Sequence, residues 1–181
     1  RSRECTNPDL DASFVEFYEE TCEEISRLLH TDNETLILGG EGILGLEAAC
    51  ASMTEPGDHV LVLDNGIYGK GFADFVSMYG GIPELYSRDY RETLDVQELE
   101  EFLKEHHNYK YATVVHGDTP SGMLNDISAI CPLLKKYGIM TVVDSVSASF
   151  GEPMRISDLA RLTLCAVAPR KLSPHLRDSP S

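Results

Sequence analysis

Runs of β-branched and other apolar residues alternate along this chain with stretches whose apolar positions recur every three or four residues. The first pattern is that of a buried strand, the second that of a helix with one apolar face. Residues 13–30 read as an acidic amphipathic helix, and Thr35–Leu38 as a short strand. Gly42–Met53 reads as a helix made almost wholly of small and apolar residues, which predicts burial on most sides. Pro56-Gly57-Asp58 marks a turn. Strand His59–Leu63, helix Gly71–Tyr79, strand Glu84–Tyr86 and helix Asp95–Leu103 follow. Strand Tyr111–Val115, helix Asp126–Tyr137 and strand Ile139–Asp144 complete the series. Asp95 and Glu98 fit a capping box, and Gly138 a helix C-cap.

This alternation predicts an α/β fold: a mainly parallel sheet between two layers of helices, a three-layer α/β/α arrangement. The strands are continuous apolar runs, as expected when both sheet faces are covered. Ligands of such sheets bind beyond the C-terminal ends of the strands, so that edge is where chemistry is sought.

Composition narrows the partners. The chain has 181 residues, 42% of them hydrophobic, and a formal net charge of -15. Such a charge argues against nucleic acid and anionic membrane surfaces. No stretch approaches the roughly 20 apolar residues that span a bilayer, and no N-terminal segment has the make-up of a secretory signal. Cys5, Cys22, Cys50, Cys131 and Cys165 form no CxxC pair, and their number is odd. Reduced thiols in a cytoplasm are the expectation.

Four segments carry candidate chemistry, each at an expected strand end. Leu38–Cys50, LGGEGILGLEAAC, takes a strand through a Gly-rich turn into a helix start. Such a turn can aim backbone N–H groups at an anion, although a plain tight turn would look the same. It lacks the lysine of a P-loop and the GxGxxG spacing of a dinucleotide site. In Asp64-Asn65-Gly66-Ile67-Tyr68-Gly69, Tyr68 stands between glycines and could stack on a flat ligand or simply cap the core. His116-Gly117-Asp118-Thr119-Pro120-Ser121-Gly122 brings hydroxyls to the same edge, with His116 either an acid–base group or a structural histidine. Asp144 ends an apolar strand, where a carboxylate is costly unless a cation faces it. A protonated pyridine nitrogen is one such cation and a metal ion another; no second carboxylate beyond Asp118 supports a metal.

The order and spacing of GGEGILGLEAA, DNGIYG, HGDTPSG and VVDSVSASFGEP resemble the class V aminotransferases, from about residue 11 to 158. Within that family the stretch resembles the alanine–glyoxylate or serine–pyruvate group. The resemblance implies the large domain of a fold-type I enzyme dependent on pyridoxal 5′-phosphate (PLP). It also implies a homodimer, with small amino acids and 2-oxo acids as substrates. Glu41, Gly42 and Ile43 match the turn that binds the cofactor phosphate, and Tyr68 the aromatic stacked on the pyridine ring. Thr119 matches the hydroxyl residue near the cofactor 3-hydroxyl, Asp144 the partner of the ring nitrogen, and Val146 the residue on the opposite ring face. A lyase reaction on the same scaffold, or a catalytically silent truncated fragment, are the alternatives.

The chain departs from that family near its end. The family lysine lies in a motif resembling GGSQK followed by APPG; here Lys171 stands at about the right distance from Asp144 but among other neighbours, APRKLSP. From Leu159 onward there are four basic residues and one acidic residue, punctuated by Pro169, Pro174 and Pro180. Plausible codons for Ala166–Ser181, read in a shifted frame, spell GGSQKTFSAPPGLTI. The expected organisation is therefore a partial cofactor-binding domain over 1–158 and an aberrant, out-of-frame tail over 159–181. On this expectation the family's small C-terminal domain is missing, and Lys171 matches the family lysine in position only.

Overall fold

The computed structural model describes residues 11–149, 151 and 163–166. Its elements are α1 (Ala12–Leu28), α2 (Gly42–Met53), β1 (His59–Asp64), α3 (Ile67–Met78), β2 (Ile82–Ser87) and α4 (Val96–Glu105), then β3 (Tyr111–Val115), β4 (Gly117–Asp118), β5 (Met123–Leu124), α5 (Ile127–Lys136), β6 (Met140–Asp144) and β7 (Thr163–Ala166). The main sheet runs in the order β2-β1-β3-β6-β7. Every pairing in it is parallel. Its fifth strand, Thr163–Ala166, lies beyond residue 158.

The two helical layers follow from the alternation of side chains along the strands. Leu61, Leu63, Ala112, Val114 and Val143 point to one face and pack with Leu99, Leu103, Ile130 and Leu134 of α4 and α5. Val60, Val62, Tyr111, Val115 and Val142 point to the other and pack with Leu46, Cys50, Phe72 and Val76 of α2 and α3. Each such buried aliphatic side chain contributes about 1.5–3 kcal/mol, so the central strands are held from both sides. Pro83, which cannot donate to a ladder, sits in the edge strand β2.

Local signals set the helix ends. Asp95 accepts from the N–H groups of Gln97 (2.7 Å) and Glu98 (3.0 Å). Glu98 does not close the capping box; it pairs with Arg88 at 3.2 Å. Gly138, at φ 77°, ends α5 while the Ile139 N–H returns to the Leu134 carbonyl.

Two expectations need correction. Thr35–Leu38 is not a strand: it lies beside α1, held by the Tyr18 hydroxyl, which accepts from the Ile37 N–H at 3.0 Å. No strand of the sheet pairs with it, and Leu36, Ile37 and Leu38 are exposed. Helix α3 begins at Ile67, four residues before the expected Gly71. Gly69 lets the helix start hard against the end of β1, where a β-carbon would meet the Leu63 carbonyl oxygen. The two-stranded antiparallel hairpin β4–β5 escaped the sequence reading because two-residue strands carry no periodicity.

Candidate active site

Chain direction brings the relevant groups to one edge. β1, β3 and β6 end there with Asp64, Val115 and Asp144. Helix α2 runs back toward the start of β1 and α3 runs away from its end, so both N-termini lie at the strands' C-terminal edge. No side chain caps α2 or α3. The first N–H groups of each, including those of Gly42 and Ile43, therefore point out of the helix with the positive end of the dipole. Glu41 is the N-cap of α2, and its carboxylate is exposed at that same end.

Tyr68 lies in the first turn of α3 and is half exposed, with its ring available to a ligand. Its N–H donates to Asp118 Oδ1 at 3.4 Å. Gly69 allows this placement: a β-carbon there would stand 2.7 Å from the Leu63 carbonyl oxygen. Asp118 is buried, and its other oxygen accepts from the Ser121 N–H (3.1 Å) and hydroxyl (2.6 Å). Ser121 is thus engaged with Asp118. Thr119 instead shares a hydrogen bond with Ser147 across to the β6 loop, both hydroxyls at the rim.

Asp144 is buried at the end of β6, where Oδ1 accepts from the Val146 N–H at 2.9 Å. Burial pushes its carboxyl above the ordinary range; the Val146 N–H opposes the shift and the nearby charge of Asp118 adds to it. Among the described residues no cation faces it. A cationic ligand placed there would restore its charge and gain a partner in low dielectric. Val146 follows on the same loop, half-buried. His116 has the structural character that was one of its two readings: it is buried, its Nδ1 shares a hydrogen bond with Ser145 Oγ at 2.9 Å, and its N–H donates to the Asp144 carbonyl at 2.8 Å. Lys171 lies outside the described residues.

Among the described residues no three His, Cys, Asp or Glu side chains are placed to hold a metal ion, and no helix is long and apolar enough to cross a membrane. The residues at the edge suit a flat, cationic, anion-bearing ring: an aromatic face, a buried carboxylate and a helix N-terminus. Sequence reasoning missed Asn125 and Ser147. Nothing marks Asn125 in the sequence as a buried amide, since it stands beside the helix-capping Asp126 and reads as part of the loop.

The fold, a mainly parallel sheet between two layers of helices, matches that of solved aminotransferases. Residues 4–163 match the family model for aminotransferase class-V, and the chain belongs to that family. It is 41% identical over 145 residues, 79% of its length, to the pyridoxamine–pyruvate transaminase of Mesorhizobium japonicum. It is 29% identical over 82% of its length to the 2-aminoethylphosphonate–pyruvate transaminase of Bacillus cytotoxicus. Among solved structures, pyridoxamine–pyruvate aminotransferase from Mesorhizobium loti superposes with a TM-score of 0.79 at 37% identity, covering 83% of this chain and 38% of that one. Alanine–glyoxylate aminotransferase from Nostoc gives 0.78 at 26% identity, covering 83% and 40%. The chain spans about two fifths of the length of the curated relatives it matches, 36% and 42% of the two named.

Proposed function

We propose that this chain is the cofactor-binding part of a PLP-dependent aminotransferase that moves an amino group from a small amino acid to a 2-oxo acid such as pyruvate or glyoxylate. The observation that carries the reading is Asp144, a buried carboxylate at a strand end whose proton affinity is raised and whose loop faces the ligand edge. The cofactor, when bound, supplies the electron sink that lets an amino acid lose its α-proton. The protein's part is positional. Asp144 holds a proton on the ring nitrogen, and Tyr68 and Val146 cover the two ring faces. Thr119 donates toward the ring oxygen, and the N–H groups of Gly42 and Ile43 receive the phosphate beside Glu41. Lys171 is the proposed lysine that anchors the ring and carries the proton. We read the working enzyme as a cytoplasmic homodimer. Cys22 and Cys50 are in no disulfide, and apolar side chains such as Phe17 and Leu36 are exposed.

The test is a visible absorption spectrum with added PLP, then borohydride reduction and peptide mapping. A bound-cofactor band with a reduced adduct on Lys171 supports the reading. Adducts scattered over surface lysines support the silent fragment instead, and a product lacking the transferred amino group supports the lyase.

Glu41 favours a second reading. A carboxylate at the anion-binding end of α2 opposes a phosphate but accepts a hydrogen bond from a neutral hydroxymethyl group. Pyridoxamine is such an unphosphorylated ring, and the relative at 41% identity is named for it. On this reading pyridoxamine is the amino donor and pyruvate the acceptor. Comparing the affinities for pyridoxal and PLP before and after Glu41→Gln separates the two. The substitution strengthens PLP binding and weakens pyridoxal binding if Glu41 selects the unphosphorylated ring.

A further inference from the structure

Two buried asparagines join the loops that carry the site. Asn65 and Asn125, 2% and 1% exposed, exchange a pair of side-chain hydrogen bonds. Asn65 Nδ2 donates to Asn125 Oδ1 at 2.9 Å, and Asn125 Nδ2 donates to Asn65 Oδ1 at 3.1 Å. Asn125 Oδ1 also accepts from the Leu94 N–H at 3.1 Å, and its Nδ2 also donates to the Val115 carbonyl at 2.8 Å. Both amide protons and both oxygen acceptor sites of Asn125 are thereby used. Asn65 Nδ2 further donates to the Glu92 carbonyl at 3.2 Å.

The backbone partners fix which way round Asn125 stands. Reversed, its oxygen would face the Val115 carbonyl and its NH2 the Leu94 N–H, two repulsive contacts. No other residue type of this size offers two donors and two acceptors in that plane, so neither Asp nor Leu can replace it without orphaning buried backbone groups.

The position of the clasp gives it a role. Asn65 opens the segment Asn65–Tyr68 that delivers the exposed ring of Tyr68. Asn125 grips the end of β3 through the Val115 carbonyl, and its own N–H donates to the His116 carbonyl at 2.8 Å. Two residues further on, that strand end delivers Asp118, which in turn receives the Tyr68 N–H. The loop after β1 and the loop after β3 are thus locked at two buried points, the asparagine pair and Asp118. A fully satisfied buried polar network of this kind restricts its loops to one arrangement.

We propose that Asn65 and Asn125 are positioning residues that hold the ring of Tyr68 at a fixed distance from the Asp118–Thr119 loop and so define the slot for the flat ligand. The proposal rests on the reading of Tyr68 as a ring-covering residue, and its test separates the two.

The experiment uses the full chain and the variants Asn65→Ala and Asn125→Asp, with Tyr68→Ala as a reference for loss of the ring. Amide hydrogen exchange is measured first, without ligand. The expected result is exchange at least tenfold faster in the peptide covering 65–69, with the β1 and β3 strand peptides unchanged. Uniform acceleration over the whole chain, or none, overturns the proposal. The visible circular dichroism per bound ring is then recorded with PLP as the probe. The expected result for Asn65→Ala is a shift toward the Tyr68→Ala spectrum; an unchanged band at equal occupancy overturns the proposal. If the parent chain itself gives no induced band, the reading of Tyr68 fails, while the exchange data still decide whether the clasp orders the loop. Should Asn125→Asp not fold, Asn65→Ala decides alone, because it leaves Asn125 bonded to Leu94 and Val115.

Discussion

Gly66 passes so close to Asp118 that a β-carbon added to the glycine would stand 2.6 Å from the carboxyl carbon and 2.8 Å from both oxygens. The contact joins the loop after β1 to the loop after β3, and it is the reason the Tyr68 N–H can reach Asp118. Asp118 is buried and bound to Ser121, so it has nowhere to retreat. Gly66→Ala is expected to cost about 1–3 kcal/mol, as for other insertions into packed space. Urea unfolding measures it, and a change under about 0.5 kcal/mol would show that the loops yield.

Asp144→Asn should stabilise the unliganded chain at neutral pH. The folded-state carboxyl of Asp144 is raised by burial, so the folded protein holds this proton to higher pH than the unfolded chain does. Between the ordinary value near 4 and the raised one, wild-type stability therefore falls as pH rises. The variant lacks that slope. The stability difference should be small at about pH 3, grow above about pH 4, and level off once Asp144 is ionised in the fold. Thermal melts of both proteins across that range check it; a constant difference would mean that Asp144 has an ordinary carboxyl.

Tyr68 is half exposed and lies in the first turn of α3. Tyr68→Ala should leave the urea midpoint nearly unchanged, within about 0.5 kcal/mol. It should weaken binding of PLP or pyridoxal by about 0.5–1.5 kcal/mol, the worth of an aromatic stack. Titration calorimetry reads the second quantity. Equal affinities for parent and variant would remove Tyr68 from the ring-covering role.

The out-of-frame expectation for residues 159–181 is settled by nucleotide sequence. The gene is expected to encode Gly-Gly-Ser-Gln-Lys in the shifted frame across Ala166–Lys171, followed by Ala-Pro-Pro-Gly. A gene without that reading would leave a genuine divergent tail with Lys171 as its lysine.

The sequence by itself determined the parallel sheet and its helical layers. Continuous apolar runs at β1, β3 and β6 can be satisfied only between two covered faces, and the caps Asp95, Asp126 and Gly138 are local chemistry. It also made Asp144 legible, because a carboxylate ending an apolar strand needs a reason. Only the tertiary structure decided which loop groups meet. Asn65 and Asn125 are 60 positions apart, and nothing in either neighbourhood foretells a shared amide pair, since pairing depends on strand order. The same holds for Thr119 with Ser147, for His116 with Ser145, and for Thr35–Leu38, whose short apolar run promised a strand that had no neighbour to pair with. Periodicity and capping act over a few residues, whereas the edge of this sheet is assembled from contacts that the order β2-β1-β3-β6-β7 alone brings together.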